Sequence, residues 1–483
     1  MLRRPIVAVC LCYLLATAIF GSVSLDVDER AFIVEPYQLV GGDYTRGYLS
    51  SGDIRGAVGC AARSYFFYWQ YRPMFAPVIE DRHKTLFSVE EERFGYERLS
   101  DVTDRSEVKL ERYQGKLVVP EPDRWYRRGA GKPLLPAILS IPSLGLVELA
   151  TRGGPTLLEH QFTDNYHPVF LLTRFSQILA GLFSIILIYR ALREAHGEAA
   201  ATVGAAVFAL FPLAIQWFPN IHHDAIMVPF VIAASTNFVK SKYVWAGVFF
   251  GLALASKNAA VLLLPALLVF VLWRLARDRC AQGPVVFRLN ATKLARGVLV
   301  FLLISLAVLT PFANPISYAK EVLTPFVDRE YDPRGEDVGS FTVSHRLVDE
   351  TDSGGLASVR RPEVMLLDRV GVLAPALLLV ILAIAVAFSR VRTDLARLSL
   401  MVLVLMVPYQ LVFGRSLSYR YLLFLPFFVF LLSELVDVRR MRWVLAFVIV
   451  VDIILLIDPM TASHLRMPAG SETFWGALFG AGG

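Results

Sequence analysis

Long apolar runs recur along this chain, and they constrain its fold more than any other feature. Most are roughly 15–20 residues long with few charges, the length that crosses a bilayer as a helix. In lipid, every backbone N–H and C=O group needs a partner within the protein, so such runs form helices. Charged residues are only 19% of the 483. The pattern excludes a soluble enzyme and a nucleic-acid-binding protein, and it predicts an all-α polytopic membrane protein.

The runs predict a bundle of about 11–12 transmembrane helices. The first, roughly residues 5–23, resembles a signal peptide, but no small-residue cleavage site follows it, so we expect an uncleaved helix. The run near 133 and the run near 167 are both predicted to start on the outer side, which two consecutive spans cannot do. Either the run near 133 is re-entrant or interfacial, or the predicted loop assignment is wrong at this point. The later runs begin near residues 133, 167, 199, 225, 244, 259, 297, 370, 398, 421 and 443.

Basic residues cluster at alternate ends of these runs. Cytoplasmic loops of membrane proteins collect Lys and Arg, so these ends are predicted to be cytoplasmic, with the N-terminus inside. We therefore expect a multi-pass protein of a prokaryotic cell membrane, with its active site outside. The basic residues are Arg3, Arg4, Arg190, Arg193, Lys240, Lys242, Arg274, Arg277, Arg279, Arg288, Lys293, Arg296, Arg390, Arg392, Arg397, Arg439, Arg440 and Arg442.

Two long polar segments are predicted to face outward, and they set the domain boundaries. Aromatic residues in the first, such as the run Tyr65–Trp69, favour short helices on the membrane surface. The predicted segments are the first transmembrane helix (1–24), outer loop 1 (25–131), a transmembrane bundle (132–313), outer loop 2 (314–368), C-terminal transmembrane helices (369–458) and a short outward tail (459–483).

Charged residues near membrane depth are costly and are therefore candidates for function. Asp28 and Glu29 follow the first helix directly, where a carboxylate can act as a general base or coordinate a metal; a solvated helix end is the alternative. His222, His223 and Asp224 lie together between two apolar runs. They can hold a metal or orient a phosphate, or they form an ordinary polar turn.

Cations form the second group of candidates. Lys257 interrupts an apolar stretch, Val244–Trp273, that is too long for one helix, so we expect two helices with Lys257 near their outer turn. An ammonium there can bind a phosphate or can extend its charge to the interface. Lys132, where the first loop returns to the membrane, and Arg420 with Tyr421 occupy similar outer edges.

The order of these motifs resembles the GT-C superfamily of integral membrane glycosyltransferases, and within it the branch of protein O-mannosyltransferases and aminoarabinose lipid A transferases. The resemblance spans roughly residues 25–426. The second Pro of the family's Lys/His-Pro-Pro-Leu entry is missing here, and Arg30 directly follows the Asp-Glu pair. The matching motifs are Asp28-Glu29, Gly41-Gly-Asp-Tyr44, Lys132-Pro-Leu-Leu135, Pro212 with Asp224, Gly251-Leu-Ala-Leu-Ala-Ser-Lys257, and Arg420-Tyr421 with Pro426.

The resemblance implies a GT-C-like bundle and a role for each matched residue. Asp28 would activate the acceptor, and Glu29 would support it or contact the donor. The donor phosphate would be held by Lys132, with Lys257 and Arg420 as further cations. Asp224 would line the same cavity. The doublet His222–His223 has no match in the family and His345 lies in a loop without a family motif, but we expect these residues and Tyr421 to line the cavity as well.

The reaction implied by the family is inverting transfer of a sugar from a polyprenyl-phosphate donor to a lipid, glycan or protein acceptor. The family's branch does not generally need a metal, so no metal ligand is assigned, although a divalent ion stays open as a cofactor. A transporter or flippase of lipid-linked sugars is the alternative function, but we find no internal repeat of the kind many transporters carry. A third class is a non-catalytic subunit with the same fold.

Overall fold

The computed structural model is almost entirely helical in the part of the chain that it describes. One pair of two-residue strands, β1 (Arg112–Tyr113) and β2 (Lys116–Leu117), pairs antiparallel with Arg112 opposite Leu117. The predicted all-α class of membrane protein is confirmed. The described residues are 4–20, 36, 39–40, 45, 48–49, 51–71, 112–113, 116–117, 133–151, 174–219, 223–281, 284–315, 318, 391–413 and 422–457.

The helices of these residues follow the predicted apolar runs closely. The run near 370 lies outside the described residues, so the total of about 11–12 spans stays a prediction. In chain order the helices are α1 (Arg4–Phe20), α2 (Ile54–Tyr71), α3 (Leu135–Thr151), α4 (Phe175–Ala209), α5 (Pro212–Trp217), α6 (His223–Val239), α7 (Tyr243–Ser256), α8 (Leu263–Ala281), α9 (Pro284–Leu309), α10 (Asp394–Phe413), α11 (Leu425–Leu435) and α12 (Val438–Ile457).

Within the described residues, three helical segments are long and apolar enough to cross a membrane: Phe175–Ala209, Asn258–Cys280 and Val286–Leu309. The first is broken at Gly197, whose φ of 84° and ψ of 178° belong to a region that essentially only glycine occupies. Its two parts correspond to the runs predicted near 167 and 199. The third segment, Val286–Leu309, begins before the apolar run predicted near 297. Exposed basic residues extend α9 beyond the N-terminal end of its apolar part.

Helices α6 and α7 form a tight hairpin around the turn Lys240–Lys242, and α7 packs on α9 through glycines. A Cβ on Gly247 would lie 2.7 Å from the Phe301 carbonyl oxygen, and one on Gly251 would lie 2.6 Å from the Ser305 carbonyl oxygen. Glycines four residues apart on one helix face allow two backbones to approach closely in a membrane. The hairpin is therefore held against α9 by backbone proximity as well as by side chains.

Gly251→Ala is expected to destabilise the protein by about 1–3 kcal/mol, because the added methyl group meets a backbone carbonyl that cannot move aside. The measurement is the midpoint of thermal unfolding in detergent. Gly145→Ala is the matched control, since a Cβ there meets nothing within 4 Å. Equal midpoints for the two variants would contradict the close packing of α7 on α9.

The chain divides into two compact units. The first contains Met1–Val23, Gln177–Val308 and Gly339–Gly483, and the second contains Ser24–Ser176 and Leu309–Val338. In the first unit α6 contacts α7 and α10, α10 contacts α8 and α11, and α5 contacts α1 and α12. The boundaries predicted along the chain concern membrane segments and loops, and they stay predictions.

In the second unit, the aromatic end of α2 is fixed to the segment that follows α9. The Tyr65 hydroxyl donates to the Pro311 carbonyl oxygen at 2.6 Å. The indole N–H of Trp69 donates to the Thr310 carbonyl oxygen, also at 2.6 Å. Both side chains also pack against the small core of Leu39, Leu134 and Ala137. Burial raises the pKa of Tyr65, so its hydroxyl keeps the proton that it donates. The predicted aromatic cluster therefore joins α2 to the segment that directly follows α9.

Candidate functional site

Three of the predicted site residues, His223, Asp224 and Lys257, lie in the described part of the chain, and all three are in the first compact unit. The roles assigned to the other predicted site residues stay predictions. The predicted site residues outside the described residues are Asp28, Glu29, Lys132, His222, His345, Arg420 and Tyr421.

Asp224 lies in the first turn of α6, which begins at His223. A carboxylate in this position interacts favourably with the unpaired N–H groups and the positive end of the helix. Asp224 is 1% exposed, and the neighbouring His223 is 4% exposed. A carboxylate this deeply buried is costly unless it has a partner of opposite charge.

Lys257 is placed by the break between α7 and α8. It has extended backbone, with φ −161° and ψ 140°, and its N–H donates to the Ala253 carbonyl oxygen at 3.0 Å, which ends α7. A short 3₁₀ segment, Asn258–Leu262, then leads into α8. The prediction of two helices within Val244–Trp273, separated at Lys257, is confirmed.

The Lys257 ammonium donates to Asp224 Oδ2 and forms an ion pair with it. Side-chain exposure is 2% for Asp224 and 23% for Lys257, so the carboxylate is enclosed while the ammonium is partly accessible. An ammonium has three N–H donors, which allows one cation to contact a carboxylate and a second anion together. The carboxylate fixes the ammonium in place.

The pair lies at the open end of the α6–α7 hairpin, opposite the Lys240–Lys242 turn. Helix α7 has 14 residues, which gives it a length of about 21 Å at about 1.5 Å per residue. The hydrocarbon core of a bilayer is about 30 Å thick. If the predicted topology places the basic turn at one boundary of that core, a helix of this length would leave Lys257 inside the opposite boundary, at a depth where an unpaired charge is expensive.

Asp224 and Lys257 were each predicted from the sequence as site residues, but their pairing was not predicted. The helix lengths could have predicted this pairing. A 17-residue helix, a short turn and a 14-residue helix bring the chain back to the level at which it started, so Asp224 and Lys257 lie at the same end of the hairpin. Among the residues that the structure describes, no group of three or more His, Cys, Asp and Glu side chains is arranged to hold a metal ion. His222 lies outside them.

Residues 169–312 match the profile of the dolichyl-phosphate-mannose-protein mannosyltransferase family. The match covers less than a third of the chain, and it includes both Asp224 and Lys257. No curated protein and no solved structure matches the chain.

The matched region and the apolar helices together support a membrane glycosyltransferase of the mannosyltransferase type. The resemblance to the GT-C superfamily, predicted from the order of the motifs, is thereby confirmed.

Proposed function

We propose that this protein moves a sugar from a polyprenyl-phosphate donor to an acceptor at the extracytoplasmic face of the membrane. The observation that carries the proposal is the match over residues 169–312 to a family whose name specifies a lipid-phosphate sugar donor and a protein acceptor. The Asp224–Lys257 pair supports it, because a partly accessible ammonium at membrane depth suits a phosphate that is attached to a lipid.

The proposed reaction is a single displacement at the anomeric carbon. An acceptor hydroxyl or amine attacks this carbon, the bond from the carbon to the phosphate oxygen breaks, and Asp28 takes the acceptor's proton. Polyprenyl phosphate leaves with one more negative charge than the donor phosphodiester carried. One displacement inverts the configuration at the anomeric carbon.

Cations stabilise the charge that grows on the leaving phosphate oxygen. We assign this role to Lys257, with Lys132 and Arg420 as further contributors. Within the described residues, the arrangement of Lys257 favours the role: Asp224 holds the ammonium on one side, and about a quarter of its side chain is accessible, at 23%. Asp224 is then a positioning residue, because it acts on the donor through Lys257.

The test is transfer of label by the purified full chain in proteoliposomes. The assay supplies radiolabelled polyprenyl-phosphate sugars, one at a time, with a mixture of membrane lipids and peptides, and it is repeated with EDTA. We expect label in one acceptor class, from one donor, with and without EDTA. Movement of the labelled donor across the bilayer with no labelled acceptor would overturn the proposal in favour of a flippase, and inhibition by EDTA that one metal reverses would overturn the metal-free mechanism.

A further inference from the structure

A cluster of arginines lies at the end of the first unit opposite the Asp224–Lys257 pair. Arg274 donates to the Ser241 hydroxyl at 3.1 Å, which places it at the turn of the α6–α7 hairpin. Three guanidinium groups surround Asp394: Arg397 Nη1 is 2.7 Å and Arg277 Nη1 3.4 Å from Oδ1, and Arg274 Nη2 is 3.7 Å from Oδ2.

The cluster has a surplus of positive charge. Beside Asp394, the carboxylate of Asp278 lies 3.6 Å from Arg277 Nε, so three guanidinium groups share two carboxylates. One positive charge is therefore left over within the cluster. Side-chain exposure is 43% for Arg277 and 28% for Arg397, so both are accessible to a ligand.

Neighbouring contacts hold these arginines in position. The guanidinium carbons of Arg277 and Arg397 both lie 4.7 Å from the centroid of the Trp273 ring. Glu434 accepts hydrogen bonds from the backbone N–H of Thr393 at 3.1 Å and from its hydroxyl at 3.0 Å, which fixes the start of α10. Groups held in place before binding lose less freedom when a ligand arrives.

One face of α8 continues from this cluster into the apolar zone. Val269, Trp273 and Arg277 follow each other at intervals of four residues, so they share a face of the helix. Val269 is 38% exposed, and the adjacent Leu268 and Leu272 are 59% and 55% exposed. Along the helix the face changes from aliphatic to aromatic to cationic, which is the order of acyl chain, interface and head group in a phospholipid leaflet.

We propose that this face binds one anionic phospholipid, with the phosphodiester at Arg277 and Arg397 and the acyl chains along Leu268, Val269 and Leu272. A phosphodiester carries one negative charge, which matches the surplus of the cluster. Basic pockets between transmembrane helices bind anionic head groups in this way. A zwitterionic lipid offsets its own phosphate with a head-group cation, so it binds more weakly. In the predicted topology this lipid belongs to the cytoplasmic leaflet.

Native mass spectrometry of the full chain tests the proposal. The protein is released from detergent that contains either phosphatidylglycerol or phosphatidylcholine, both with the same acyl chains. We expect phosphatidylglycerol to be retained in preference. Arg277→Gln should lower its retention about five-fold, the effect of one basic residue at a membrane surface. Arg440→Gln makes the same charge change on α12, where the side chain is 79% exposed, and should leave retention unchanged.

Asp394→Asn provides a test in the opposite direction. Loss of the carboxylate raises the surplus of the cluster by one charge, so retention of phosphatidylglycerol should increase about five-fold. A purely structural cluster would give no such gain.

The proposal is overturned if both lipids are retained equally, if Arg277→Gln binds like the unchanged protein, or if Asp394→Asn, folded, shows no gain. Displacement of the lipid by millimolar inorganic phosphate would also overturn it, because the site would then take free phosphate. Where a variant fails to fold, the comparison of the two lipids on the unchanged protein and the phosphate competition decide the matter.

Discussion

Lys257→Gln is expected to destabilise the protein by about 3 kcal/mol, because it leaves the buried carboxylate of Asp224 without its ammonium partner. Breaking a buried pair from one side costs about 3–5 kcal/mol, and the lower end applies here because the Lys257 side chain is 23% exposed. Thermal and denaturant unfolding in detergent measure the loss. The matched control is Lys240→Gln, which breaks the exposed pair with Glu194 at the other end of the hairpin and should cost about 0–1 kcal/mol.

The double variant Asp224→Asn/Lys257→Gln separates a structural role of the pair from a role in transfer. Two neutral amides can hydrogen-bond to each other, so most of the stability should return. Sugar transfer should not return, because the cation proposed to stabilise the leaving phosphate is still missing. A double variant that is both stable and fully active would show that the pair serves the fold alone. A cost for Lys257→Gln no larger than for Lys240→Gln would contradict the burial of the pair.

Asp28→Asn is expected to lower the rate of transfer by about 10²–10⁴-fold, the range for loss of a general base. An amide has nearly the shape of a carboxylate but cannot accept the acceptor's proton. The unfolding midpoint should stay unchanged, which distinguishes a catalytic loss from a folding defect. The measurement is the initial rate of label transfer in proteoliposomes.

Asp26→Asn is the matched control for this carboxylate, since it makes the same change two residues earlier in the chain. We expect it to retain near-normal activity. The reverse result, with Asp26→Asn inactive and Asp28→Asn active, would mean that the general base is Asp26 and that the residue carried over from the family motif is wrong.

Local properties of the sequence determined the helices. A bilayer demands a minimum number of apolar residues in a row, so runs can be counted without knowing what they pack against. The same reasoning predicted the separation of α7 from α8 at Lys257, because the stretch was too long for one helix. It also separated the two parts of α4, which the structure breaks at Gly197. The ordered motifs predicted the GT-C resemblance.

Tertiary packing decided which residues meet. The sequence marked Asp224 as a cavity residue and Lys257 as a phosphate ligand, but their ion pair depends on how α6 and α7 lie against each other. The contact of Gly251 with Ser305 and the gathering of arginines from α8 and α10 around Asp394 arise in the same way. Hydropathy is a property of one segment, whereas a charge partner or a close helix contact is a property of two segments whose relative rotation only the packed bundle sets.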